Sequence, residues 1–389
     1  MSRIKIDRII IDTTIAHFIN DGLSYLPFFL IIMIKENYNL SFFSQSMILM
    51  SYYIGSAFVS PYMGRYIDKT KKKGLLMGIG MFLFSVSFLL LVPPYPYSIA
   101  IPSFMASMFI ISIFSTIYHP IGSMILNFRY REYAGTVLGI NGIGGSFGRA
   151  IFPVIMEGFL ALFNKNFILS IISISFIMGV ISLYVAYDLR NEEIFVEKKI
   201  KKNVFKFSLP ITFFLIATIL RNTAIQGGFN LLPAFLNTTL QYSSFLIAII
   251  LFIANSTAII GQPFLGYLSD RYGGKKMLIV TSLIPGILLI VLMFFSNVYI
   301  VSIIFIVTYF FGMSNFPLLM VFVGELSSDE ELAENSAIIF GLGGGIGGAI
   351  GSFAIGMLAQ ILNIYMAFII IGIISIAGSI MMFYIPKKP

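Results

Sequence analysis

The chain has two histidines in 389 residues. One of them, His17, stands four residues before Asp21 inside the apolar run Ile9–Met33. A carboxylate midway along such a run costs about 2.5–3.5 kcal/mol to place in a bilayer, so intramembrane acids mark proton or substrate paths. At a helical spacing of four, Thr13, His17, Asp21 and Tyr25 share one face, flanked by Asn20 and Ser24. The second histidine, His119, lies in another long run between Ser115 and Ser123. Both imidazoles sit roughly 12 Å from the ends of their runs at 1.5 Å per residue. Burial disfavours the charged form of a carboxylate and of an imidazole, which brings both towards proton exchange at working pH. Asp21, His17 and His119 are therefore read as a proton-coupling cluster; the alternative is a hydrogen-bonded group that fixes two helices.

Three further charges fall inside apolar runs: Arg149, Glu157 and Arg221. With Asp21 they make two of each sign, and mutual pairing is the expectation. The alternative for Arg221 is attraction of an anionic substrate. Thr218, Asn222, Gln226 and Asn230 recur every four residues around it and give that helix a hydrogen-bonding face. Tyr25, Arg221, Asn222, Gln226, Asn230 and Asn315 are the candidates for substrate contact.

Composition says what positions these groups. The chain is 58% hydrophobic and 11% charged, against roughly 25% charged for a soluble domain, and its mean hydropathy is +0.94. Apolar runs of spanning length recur twelve times, at 9–33, 41–63, 74–92, 98–127, 134–162, 167–187, 208–236, 243–268, 276–295, 298–325, 333–362 and 363–385. Turn chemistry such as Asn37-Tyr38-Asn39 and Pro93-Pro94 separates them. Twenty-one of the 25 Lys and Arg fall in alternate loops or at the two ends, which places both termini in the cytoplasm. The first run is too long for a cleavable signal.

The halves repeat one another. Pro27 is echoed by Pro233, Gly64-x3-Asp68 by Gly266-x3-Asp270, Pro120 by Pro317, and Gly142-Ile143-Gly144-Gly145-x2-Gly148 by Gly345-Ile346-Gly347-Gly348-x2-Gly351. The expected fold is thus an all-α polytopic membrane protein of 12 transmembrane helices. It comprises a six-helix bundle over 1–188, a cytoplasmic linker over 189–206 and a second six-helix bundle over 207–389, with a site at the midplane. Duplicated features read as scaffold: the prolines as kinks and the glycines as close helix contacts. Asp21, placed opposite Gly227 by the proline spacing, is specific to the first half, as are His17 and His119.

With these motifs in place the chain resembles the major facilitator superfamily of secondary transporters over essentially its whole length. The segment Gly266-Tyr267-Leu268-Ser269-Asp270-Arg271-Tyr272-Gly273-Gly274-Lys275 departs from that family's loop signature only at Gly274; the first copy keeps Gly64, Asp68 and Lys73. The resemblance implies a gating role for Gly64, Asp68, Gly266, Asp270 and Arg271. It also implies that spans 1, 4, 7 and 10 line a cavity. A finer resemblance, to fosmidomycin-resistance-like efflux proteins, rests on His17-x3-Asp21, Tyr118-His119-Pro120 and the glycines of span 5. In the family's antiporter signature of span 5, Phe152 and Met156 here replace glycines.

The expected function is proton-coupled export of a small organic solute by alternating access. The alternative is proton-coupled import of a metabolite such as an organic acid or sugar. An enzyme would need catalytic constellations or a soluble domain, and neither is evident. The absence of cysteine excludes disulfides and thiolate sites, and no cofactor or metal is expected. The expected partners are the small-molecule solute, protons and the lipid bilayer of the plasma membrane. Nucleic acid is not expected, and a monomer suffices.

Overall fold

The computed structural model describes residues 6–92, 95–130, 134–192, 208–327, 335–336 and 338–385, without the side chains of Pro61, Arg65, Asp68, Ala134, Gly135, Phe316, Pro317 and Met320. The predicted runs fold as helices, because a backbone inside a bilayer must satisfy its hydrogen bonds within its own segment. In order they are α1 (Arg8–Tyr38), α2 (Phe42–Lys69), α3 (Lys73–Ser87), α4 (Ala100–Ser115), α5 (Tyr118–Tyr130), α6 (Ala134–Leu162) and α7 (Phe167–Asp188). They continue as α8 (Leu209–Asn222), α9 (Phe229–Thr238), α10 (Ser244–Tyr272), α11 (Gly274–Leu292), α12 (Val298–Ser314), α13 (Phe316–Leu326), α14 (Gly343–Ile361) and α15 (Ile364–Met381). Ten spans among the described residues are long and apolar enough to cross a membrane. Large apolar side chains such as Ile260 (73% exposed) and Phe176 (70%) face outward, as lipid contact requires.

Local chemistry sets the helix ends. Asn166, Ser243, Asn297 and Asn363 cap α7, α10, α12 and α15 by accepting from backbone N–H groups of the first turn. Asn39, in the expected turn after α1, takes φ 46°. Gly273, at φ 96°, ends α10 in a backbone region where a side chain is strained. Pro120 cannot donate a hydrogen bond to the carbonyl four residues back. The helix accordingly breaks at Thr116–Ile117 between α4 and α5, and Asn315 marks the matching break between α12 and α13.

Residue contacts divide the chain into two compact units, 1–27 with 58–200 and 28–57 with 201–389. In the first, a Cβ on Gly144 would meet Thr14, and one on Gly148 would meet the backbone of Phe18 and Gly22. In the second, a Cβ on Gly347 would meet Ile219 and Asn222, and one on Gly351 would meet Thr223. The glycines therefore act as the repeat implied, by letting backbones approach closely.

These contacts also correct the register. Thr14, Phe18 and Gly22 correspond to Ile219, Thr223 and Gly227, at an offset of 205, whereas Pro27 and Pro233 differ by 206. The extra residue coincides with the π-helical segment Thr223–Gly228, and a π-helical turn is how a helix accommodates one inserted residue. Asp21 thus corresponds to Gln226 rather than to Gly227.

Candidate functional site

The break before α5 turns Tyr118 and His119 towards α1. His119 Nε2 lies 3.2 Å from Asp21 Oδ1, and His17 Nε2 lies 3.4 Å from Asp21 Oδ2. Both histidines of the chain thus address one carboxylate, whose side chain is 5% exposed. Arg149 of α6 also pairs with Asp21 Oδ2 and donates to Ser146 Oγ at 3.0 Å. Gly145 makes room for this cluster, because a Cβ there would run into His17 Nε2 and Asp21 Oδ2. The sequence foresaw pairing among the intramembrane charges, and the ion pair made is Arg149 with Asp21. Glu157, eight residues further along α6, is half-buried.

Further residues fix the imidazoles. His17 Nδ1 lies 2.9 Å from the carbonyl and 2.9 Å from the side-chain oxygen of Asn141. The His17 ring stacks on Tyr118 at 4.8 Å between centroids. The Tyr118 hydroxyl lies 3.0 Å from Thr13 O and 2.9 Å from Asn141 Oδ1, and its one proton can serve either acceptor. Asn20 Nδ2 donates to Asp21 Oδ1 at 3.1 Å and stands 3.4 Å from His119 Nε2. Asn141 and Tyr118 were missed as supports. Tyr118 stands out in the sequence only as part of the Tyr118-His119-Pro120 motif, and Asn141 is an isolated amide in a glycine-rich run. The His119 side chain is 59% exposed, so it alone of the three presents a large face outside the cluster. The site is thus a buried carboxylate held by a guanidinium, with one fixed and one accessible imidazole beside it.

The candidates of the second unit are held differently. Arg221 is 2% exposed. Its Nε donates to Ser282 Oγ at 2.9 Å and its Nη1 to Asn222 Oδ1 at 2.9 Å, while Nη2 has no partner. Among the described residues no carboxylate pairs with it, so the expected partner of opposite sign is absent here. Asn222 donates to Gly343 O at 3.1 Å. Tyr53 of α2 donates to Gln226 O at 2.8 Å and receives a hydrogen bond from Asn230 Nδ2. Asn230 and Asn315 are each 2% exposed and Tyr25 is 5% exposed; Gln226 is half-buried.

The signature read as a loop is helical instead. Gly64 lies within α2, and Gly266, Asp270 and Arg271 form the last turns of α10, because that helix runs on until Gly273 stops it. Asp270 and Arg271 are exposed, and the Arg271 guanidinium lies 5.5 Å from the Tyr272 ring. The Asp68 side chain lies outside the described residues.

Known proteins agree with this architecture. The chain is 20% identical over 381 residues to the fosmidomycin resistance protein of Escherichia coli (strain K12), covering 95% of this chain and 91% of that one. Among solved structures, the nucleoside transporter NupG superposes with a TM-score of 0.77 at 15% identity, covering 98% of this chain and all of that one. A bacterial homologue of the human lysosomal transporter Spinster gives 0.75 at 10% identity over 97% and 96% of the two chains. A POT family transporter in complex with 5-aminolevulinic acid gives 0.75 at 16% identity over 96% and 95%. The family description "Major Facilitator Superfamily" matches residues 13–340 and 214–389. The chain belongs to the Major Facilitator Superfamily, as an integral membrane transporter.

Proposed function

We propose that the protein is a proton-coupled secondary transporter that exports a small organic solute by alternating access. The observation that carries this reading is the convergence of both histidines and Arg149 on one buried carboxylate. A proton reaching Asp21 through the exposed His119 neutralises it and frees the Arg149 guanidinium, so protonation changes what holds α1 to α6. His17, fixed by Asn141 and Tyr118, keeps the carboxylate oriented throughout. Similarity to the fosmidomycin resistance protein supports efflux. Import is the second reading, and Phe152 favours it. It stands where the antiporter signature has glycine, and its ring packs where a Cβ on Gly22 would sit.

In this reading the chain crosses the plasma membrane twelve times, with both termini cytoplasmic, as a monomer of two six-helix bundles, 1–188 and 207–389, joined by 189–206. Gly64, Asp68, Gly266, Asp270 and Arg271 gate the cytoplasmic side. Tyr25, Arg221, Asn222, Gln226, Asn230 and Asn315 are the substrate-facing candidates, with half-buried Gln226 the first to test. The uncompensated charge of Arg221 would favour an anionic group on the solute.

The test is uptake and efflux across a substrate panel in proteoliposomes with an imposed pH gradient. Wild-type transport should be driven by the imposed proton gradient, and Asp21→Asn should lose that dependence. Undiminished proton-driven transport by Asp21→Asn would sink the proposal.

A further inference from the structure

A second pair of carboxylates lies nearer the start of α1. Asp12 is 1% exposed, and its carboxyl lies beside that of Asp188, the last residue of α7. Arg8, one turn before Asp12, places Nε 2.8 Å from Asp188 Oδ2 and donates through Nη2 to the Asp188 carbonyl at 3.0 Å. Asp12 Oδ2 is nevertheless buried and accepts no hydrogen bond, and the group facing Asp188 Oδ2 is the Arg8 guanidinium. The charged groups acting on Asp12 are Asp188 and Arg8.

Two ionised carboxylates can only accept, so neither can donate to the other, and in contact their like charges repel. With Arg8, the ionised trio carries one net negative charge. A single proton supplies the missing donor, removes the repulsion and brings the trio to neutrality. We propose that Asp12 and Asp188 form a second proton-binding site, holding one proton between them and tying α1 to α7. At 1.5 Å per residue it lies roughly 13 Å along α1 from Asp21. The Asp188 side chain is 13% exposed and that of Arg8 58%, which gives the proton a way to exchange with water. The site stands whether or not Asp21 couples transport. Loss of the proton would set the two carboxylates against each other and loosen the junction of α1 with α7.

Infrared spectroscopy of the purified protein tests this without a known substrate. At neutral pH the carbonyl stretch of a protonated carboxylic acid should be present in wild type and in Asp21→Asn, and should disappear on raising the pH. It should be lost from Asp12→Asn and from Asp188→Asn. Absence of the band from Asp21→Asn at neutral pH, or an undiminished band in Asp12→Asn, would overturn the proposal. Melting against pH is the second measurement. The wild-type melting temperature should fall as rising pH removes the shared proton. In Asp12→Asn the amide donates at every pH, so that fall should be absent; an identical fall in both proteins would also count against the site. A failed coupling role for Asp21 would show instead as proton-driven transport by Asp21→Asn, with these spectra unchanged.

Discussion

In the first unit α1 meets α6 across Gly144, Gly145 and Gly148. In the second, α8 and the π-helical turn after it meet α14 across Gly347 and Gly351. The backbones approach in the same register, 205 positions apart on one helix and 203 on the other, yet the side chains they admit differ. Gly145 leaves room for His17 and Asp21, whereas Gly348 leaves room for Tyr53. Asp21 and Arg149 have Gln226 and Ser352 as counterparts, so an ion pair in one unit becomes two neutral groups in the other. His17 reaches the Asn141 carbonyl of α6, and Asn222, at the matching position, reaches the Gly343 carbonyl at the start of α14. One packing solution is used twice, and among the described residues one copy carries a buried carboxylate with two imidazoles and a guanidinium around it.

The contrast is broken most severely through its arginines. Arg149→Met strands Asp21 as a buried charge, and removing one partner of a buried pair costs about 3–5 kcal/mol. The lower end of that range is expected because two imidazoles remain. Arg221→Met strands no carboxylate, and its cost should stay below about 1 kcal/mol, since a hydrophobe replaces an unpaired buried charge. Melting followed by circular dichroism in detergent checks both; equal losses would show that Arg221 has a counter-charge after all. The glycine contacts should behave alike. Gly148→Ala and Gly351→Ala each force a methyl onto a facing backbone and should cost about 1–3 kcal/mol. A loss in one unit only would refute the common register.

Tyr53→Phe removes the hydroxyl that serves Gln226 O and Asn230, and should lower stability by about 1 kcal/mol. The same measurement applies, and no change would mean that the π-helical turn needs no such support. The smallest stability effect is expected from His17→Asn, which copies the solution at Asn222 into the first unit. It should cost less than about 1 kcal/mol while weakening the pH dependence of transport in proteoliposomes. If the pH dependence is untouched, His17 is a support and not part of the proton path.

Much of this was legible beforehand because a bilayer constrains sequence so strongly. Helices must close their own backbone hydrogen bonds, so long apolar runs declare helices. A carboxylate among them marks a candidate site, and duplicated prolines and glycines mark scaffold. Asp21, His17 and His119 were found in this way, by type, spacing and depth. What linear reading missed shares a cause: each feature depends on which side chain lies across from which. Arg149 and Arg221 were equivalent partners for Asp21 until the close approach at Gly145 and Gly148 placed Arg149 beside it. Asp12 and Asp188 are 176 positions apart, each near a helix end where an acid attracts no notice.

Class, span positions, the internal repeat and the polar face of α1 followed from the sequence alone, because they rest on composition and on periodicities that the bilayer enforces. Tertiary structure decided the pairing of charges, the support of the imidazoles by Asn141 and Tyr118, and the one-residue insertion that moves Asp21 opposite Gln226. Those depend on distances of a few ångströms between helices, and such distances are set by the packing of glycines and ring faces that no spacing along the chain encodes.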